Sequence, residues 1–182
     1  MARTLIARLA SSAAVTLITL GFVPASLAQT VPCPGIQLDA GIACTGFALG
    51  IDVFPPDKRV ERVFLDKNGN VVRLLRAGKG NTLVFSTFEV VDATTNQCRL
   101  TKTYSLKSNG SVESIKCCTD RGEEIWTTTG HNVLILFPTD DPAGPSTNLY
   151  VGKLVFLFDP NSAFTTLQSF NGAVTDICAA LQ

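Results

Sequence analysis

Six cysteines, Cys33, Cys44, Cys98, Cys117, Cys118 and Cys178, all lie downstream of a leader of export type. That combination constrains the fold more than any other feature of the chain. In an oxidising compartment an even set of thiols closes into disulfides, and six of them admit fifteen pairings. The leader reads "MARTLIARLASSAAVTLITLGFVPASLAQT". Arg3 and Arg8 precede an apolar run from Leu9 to Val23, and small residues at Ala25-Ser26-Leu27-Ala28 make a cleavage site. The run falls short of the roughly 20 residues a span needs, and Ser and Thr interrupt it. Residues 1–28 are therefore expected to be a signal peptide, and residues 29–182 a single secreted domain. Its place would be extracellular, or periplasmic in a source with an outer membrane. Gln29 follows the cleavage site, so there is no cysteine to accept a bacterial lipid anchor.

The charges narrow the partners. The chain holds 15 basic and 15 acidic residues; Arg3 and Arg8 fall in the leader, so 13 face 15 in the remainder. With no basic excess and no Lys/Arg cluster, nucleic acid is excluded as a partner. No second apolar run follows the leader, so no membrane span is expected after its removal. No cofactor is expected either. A zinc cluster needs close Cys/His pairs, and the single histidine, His131, has no such neighbour in sequence.

Cys117 and Cys118 are adjacent, in "SIKCCTD". On a strand they point to opposite faces, which favours two separate partners over a bridge between neighbours. Cys98 is a candidate for Cys118, because "CRLTKTYSLKSNGSVESIKCC" reads as a hairpin turning at Ser108-Asn109-Gly110. Direct opposition of Cys98 and Cys118 needs a five-residue loop or a bulge there. Cys117 is then left for Cys33 or another partner, and Cys44 and Cys178 remain as a pair tying the first strand to the C-terminus.

Short Val-, Ile-, Thr- and Phe-rich runs alternate with turn signals: Ala43–Phe54, Val60–Leu65, Val71–Arg76, Thr82–Asp92, Cys98–Leu106, Ser111–Cys117, Glu123–Thr129, His131–Phe137, Leu149–Asp159 and Ala163–Ser169. Between them stand Pro55-Pro56-Asp57, Lys67-Asn68-Gly69-Asn70, Ala77-Gly78-Lys79-Gly80, Ser108-Asn109-Gly110, Asp141–Pro145 and Asp159-Pro160-Asn161. The expectation is an all-β domain, a single antiparallel β-sandwich or barrel of about nine or ten strands. "AVTDICAALQ" closes it as a short helix, with Val174, Ile177, Cys178 and Leu181 at helical spacing.

Candidate sites are few. "DKNGN" begins like a calcium loop, but Val71 and Ala77 stand where glycine and glutamate belong, so a hairpin turn is the reading. The longest polar connection, "FPTDDPAGPSTN", is the candidate binding loop, through Asp140, Asp141, Ser146 and Asn148. His131 has no Gly-x-Ser-x-Gly elbow to serve, and is read as structural or exposed. "IWTTTG", Trp126 flanked by threonines, is a possible flat ligand face, although one Thr-x-Thr makes no array.

The C-terminal half, "TTTGHNVLILFPTDDPAGPSTNLYVGKLVFLFD" ending in "VTDICAALQ", resembles a group of uncharacterised exported bacterial proteins common in actinobacteria. They share Thr-Gly-x-Asn, Phe-Pro-x-Asp and Asp-x-Cys-Ala-Ala-Leu elements. "ACTGFALGIDV" is similar to their cysteine-bearing first strand. The resemblance implies a secreted β-rich domain and a bridge between Cys44 and Cys178, and it implies no activity. Cys33, Cys98, Cys117 and Cys118 are additions to that pattern. The function expected is a non-catalytic module that binds an extracellular or envelope ligand. The alternative is a small barrel enzyme of isomerase or hydrolase type, or an apolar-ligand carrier, with a luminal site. A deep cavity with an inward carboxylate, Tyr or His131 would favour that alternative.

Overall fold

The computed structural model describes residues 30–55 and 58–182, and the side chains of all of these but residues 108–110; the leader and its cleavage site lie outside them. Ten strands occur among the described residues: β1 (Val31–Pro32), β2 (Ile36–Leu38), β3 (Leu49–Phe54), β4 (Lys58–Leu65), β5 (Val71–Asp92), β6 (Gln97–Lys116), β7 (Glu124–Thr129), β8 (His131–Leu136), β9 (Ser146–Asp159) and β10 (Phe164–Asp176). One helix, α1 (Ile177–Ala180), ends the chain. All the strands join one antiparallel sheet in the order β10-β9-β7-β6-β5-β3-β2, with β1 on β6, β4 on β5 and β8 on β9. The sheet curls into half a barrel. No helix among the described residues is long and apolar enough to cross a membrane.

Three aspartates close three hairpins. Asp66 accepts from the amides of Asn68 and Asn70 (2.7 and 2.9 Å), Asp92 from Thr94 (2.8 Å), and Asp159 from Asn161 (2.9 Å). Each carboxylate substitutes for a turn hydrogen bond at the end of a strand, as Asp does in Asx turns. "DKNGN" is such a turn, between β4 and β5.

The length of β5 and β6 departs from expectation. Ala77–Gly80 and Ser108–Gly110 were expected to turn, but both lie within long strands that pair with each other from Arg73↔Lys116 to Asp92↔Gln97. The two turn-like segments oppose one another, so neither needs to reverse the chain. They become a register irregularity instead, between the pairs Lys79↔Asn109 and Thr82↔Lys107. There β5 also exchanges its outer neighbour, β4 up to Lys79 and β3 from Thr82. Gly78 sits at this corner with φ +139°, which only glycine adopts freely.

Two further boundaries move. Residues 43–47 form bends rather than the start of β3, and Ala173–Asp176 extend β10 rather than open the helix, because they pair with β9. Asp176 caps α1, its side chain accepting from the Ala179 amide at 3.0 Å. Ala43, Cys44, Leu49, Ile51, Phe85, Leu106, Leu149, Ile177, Cys178 and Leu181 form the larger core. A smaller cluster holds Tyr150, Leu154 and Phe156, with Trp126, Leu134, Phe158, Leu167 and Phe170 packed against it.

The disulfides correct two expected pairs. Cys44 bonds Cys178, fastening the 43–48 segment to α1; Thr147 Oγ adds a hydrogen bond to the Ala43 carbonyl at 3.0 Å. Cys33 bonds Cys98, not Cys117, because β1 lies on β6 with Val31 opposite Cys98. Cys98 does not reach Cys118. One unbroken strand holds Cys98 near its start and runs to Lys116, so the two cysteines lie at opposite ends of it. Cys117 and Cys118 bond each other, in place of two separate partners. No cysteine remains free, which is consistent with an oxidising compartment.

Candidate functional site

The strand register puts a row of unlike residues on one face of the sheet. Glu61 lies opposite Arg76, Arg76 opposite Glu113, Glu113 opposite Thr128, and Thr128 opposite Leu154. The next row sets Ile115 against Trp126 and Trp126 against Phe156. Direct cross-strand partners share a face. Neither row follows from sequence proximity.

Where these rows meet the corner of β5, a cavity of about 240 Å³ opens. Its apolar walls are Leu83, Trp126, Val133, Leu154 and Phe156, and its polar lining includes Asn81, Thr128, Asn132, Arg59 and Glu113. The rings of Trp126 and Phe156 stack at 5.5 Å with 22° between planes. Trp126 Nε1 donates to Glu124 at 2.9 Å, so the indole turns its ring, not its N–H, to the cavity.

Two polar groups here lack partners. Thr128 is 5% exposed and Asn132 8%. Neither the Thr128 hydroxyl nor the Asn132 side-chain nitrogen has a hydrogen-bond partner. Buried polar groups are nearly always paired, and each orphan costs about 1–3 kcal/mol. Ser86 Oγ is also unpartnered, but it does not line the cavity.

The charges beside the cavity are engaged. Arg59 meets Glu113 at 3.3 Å, and Arg76 reaches Glu61 at 2.8 Å and Glu113 at 4.0 Å. On the far side of Trp126 a second hollow of about 280 Å³ runs past Leu74, Arg76, Ile115 and Glu124 to Cys117.

The residues of the expected binding loop serve other ends. Asp140 is buried, its two oxygens accepting from the amides of Phe137 (2.6 Å) and Thr165 (2.8 Å). It braces the turn against β10. Asp141 donates its amide to the Thr165 carbonyl and accepts from Leu167 N. Ser146 opens β9 beside α1, next to Cys178. Asn148 lies within β9 and hydrogen-bonds Tyr150, whose hydroxyl burial pushes above its ordinary value while that bond pulls it partly back. These four do not converge on one point. His131 accepts at its carbonyl from Ser111 Oγ (2.7 Å) and does not line the cavity. Among the described residues no group of three or more His, Cys, Asp or Glu is placed to hold a metal ion.

Of the cavity residues, sequence reading singled out only Trp126 and its threonines; Thr128 shares a face with Trp126, while Thr127 and Thr129 alternate to the other. Arg59, Glu113 and Asn132 carried no local signal, since five different strands supply the polar lining. No protein-family model, curated protein or solved structure matches this chain, so the geometry of the cavity is what speaks for its role.

Proposed function

We propose that the chain is exported and acts outside the cell as a non-catalytic binding module, holding a small ligand in the cavity beside Trp126. The observation that carries this reading is the hollow itself, where the stacked rings of Trp126 and Phe156, with Leu83, Val133 and Leu154, meet polar residues brought from separate strands, Asn81, Arg59 and Glu113 among them. Ligand sites have this composition: apolar walls with a few polar groups that fix orientation.

Binding is favoured over catalysis by the state of the reactive groups. The Thr128 hydroxyl has no hydrogen-bond partner, so no base activates it as a nucleophile. The lining carboxylate, Glu113, is held between Arg59 and Arg76. Neither His131 nor a tyrosine lines the cavity. Oxidised cysteines and the export leader support the extracellular placement.

Trp126 is the single tryptophan of the chain and supplies the test. Oxidised protein lacking residues 1–28 is titrated with a library of small neutral and charged fragments while indole emission is followed. A saturable change that vanishes when Leu154→Phe fills the cavity supports the reading. Absence of a saturable response across the library overturns it.

A further inference from the structure

We infer that Cys117–Cys118 is a redox-active site, which takes two electrons from a dithiol and closes again when the dithiol's own disulfide is in excess. The inference is independent of the binding reading and concerns sulfur atoms that the cavity beside Trp126 does not use.

The fold gives this bridge no structural task. Cys33–Cys98 and Cys44–Cys178 close sequence separations of 65 and 134 and reach into the core, with Cys44 and Cys98 wholly buried. Cys117 and Cys118 are consecutive and exposed, so their bond fastens no loop. The chain around them is held without it. The Cys117 amide donates to the Val72 carbonyl at 3.3 Å, continuing the β5–β6 ladder. Thr119 closes the next turn, its amide donating to the Glu123 carbonyl (2.8 Å) and its hydroxyl to the Glu123 carboxylate (2.9 Å).

Adjacency also sets reactivity. Consecutive Cα atoms lie no more than about 3.8 Å apart. Disulfides ordinarily bridge roughly 4.4–6.8 Å, and a bond formed outside that span is easier to reduce. Exposure admits the attacking thiolate, and exposed bridges are the ones that exchange.

The exchange runs in two steps. A thiolate of the dithiol attacks one sulfur of the bridge; the S–S bond breaks, a mixed disulfide forms, and the other cysteine leaves as a thiolate. The second thiol of the reagent, as thiolate, then attacks the reagent's own sulfur in the mixed disulfide. That step expels the second cysteine and closes the reagent into a cyclic disulfide. Two electrons and, after protonation, two protons have passed to the protein. With a monothiol the first step is undone instead. The freed cysteine stands next to the mixed disulfide, at high effective concentration, and re-forms the bridge. Neighbouring cysteines therefore select a dithiol.

The experiment equilibrates oxidised protein with dithiothreitol and its cyclic disulfide over a range of ratios. Samples are quenched, alkylated and mapped by mass spectrometry, while circular dichroism follows the fold. Cys117 and Cys118 are expected to become alkylated together, at a ratio of reduced to oxidised reagent about a hundredfold lower than either other bridge requires. The spectrum should stay unchanged, and the bridge should close when the ratio is reversed. Opening at the same ratio as Cys33–Cys98 or Cys44–Cys178, or after them, overturns the inference, as does loss of the β spectrum on opening or failure to close again. Glutathione at equal thiol concentration is expected to open about tenfold less of the bridge; equal opening overturns the choice of a dithiol.

The double variant Cys117→Ser, Cys118→Ser supplies the control. It is expected to fold with both remaining bridges and to take up no alkylating reagent at the ratios that open the parent's exposed bridge. Uptake at those ratios refutes the assignment, and a double variant that cannot fold makes the bridge structural and refutes it too.

Discussion

Gly152 and Gly172 face each other across the β9–β10 hairpin, each with a positive φ, +142° and +145°. At this point β9 exchanges one neighbour for another, β8 up to Val151 and β7 from Leu154. A Cβ on Gly152 would run into the backbone of Asn171 and Gly172, and one on Gly172 into Val151 and Gly152. The pair therefore lets two backbones bend together where side chains would hold them apart, as glycine kinks do in curved sheets. Gly78 plays the same part on β5, which makes the curl a product of a few residues rather than of general twist.

Substituting either glycine should consequently straighten or break the corner. Gly172→Ala is expected to lower stability by about 2–3 kcal/mol, through the disfavoured φ and the backbone clash. Urea denaturation measures it, and Ser169→Ala on the same strand serves as the control. An unchanged midpoint for Gly172→Ala would refute the account.

The three bridges should differ sharply in what they contribute. In the chain-entropy view, sequence separations of 134 for Cys44–Cys178 and 65 for Cys33–Cys98 correspond to about 5 and 4 kcal/mol, while an adjacent pair contributes only about 1. Cys44 and Cys98 are wholly buried, whereas Cys117 and Cys118 are exposed. A mild dithiol is thus expected to open Cys117–Cys118 first and leave the domain folded. Peptide mapping under non-reducing conditions, before and after such treatment, reads the order; early loss of Cys44–Cys178 contradicts it.

Acid should loosen the hairpin turns. The Asp66 carboxyl is held below its ordinary 3.8, chiefly by the Asn70 amide, Asp92 by the Thr95 hydroxyl, and Asp159 by the Ser162 hydroxyl. A depressed folded value means that the stability these groups contribute is present above pH 3.8 and is lost as pH falls through the lower folded values. Carboxyl NMR titration is expected to place all three below 3.8. Replacing Asp66 with Asn should flatten its share of the acid transition, and an unaltered acid limb argues against the turn as its source.

Asp140 should behave as a structural brace. Asp140→Ala strands the amides of Phe137, part-buried, and Thr165, buried, with an expected loss of about 2–4 kcal/mol. Hydrogen exchange at those two amides gives the local reading. The fragment response of Trp126 emission, measured well below the unfolding transition, should persist in Asp140→Ala, since no residue of this turn lines the cavity; its loss in folded protein would restore the loop as a binding element.

Some of this was legible in the residues. Val, Ile, Thr and Phe at short intervals, with Asp, Asn, Gly and Pro between them, announce an antiparallel β-protein because side-chain period and turn dihedrals are local properties. The Asp66 turn could be read for the same reason. The unbroken β5 and β6 could not. Gly78-Lys79-Gly80 and Ser108-Asn109-Gly110 suit a turn and a bulge equally, and the choice belongs to the strand alongside.

The amino-acid order by itself determined the antiparallel β character, the turns at Asp66 and Asp159 and the even set of six thiols. Tertiary structure alone decided which thiols meet, where the glycine corners fall, and that Thr128 and Asn132 share one hollow with Trp126. Disulfide pairing and cavity lining depend on register between strands distant in sequence. Register is a property of the whole sheet, chosen by the free energy of burying both faces together.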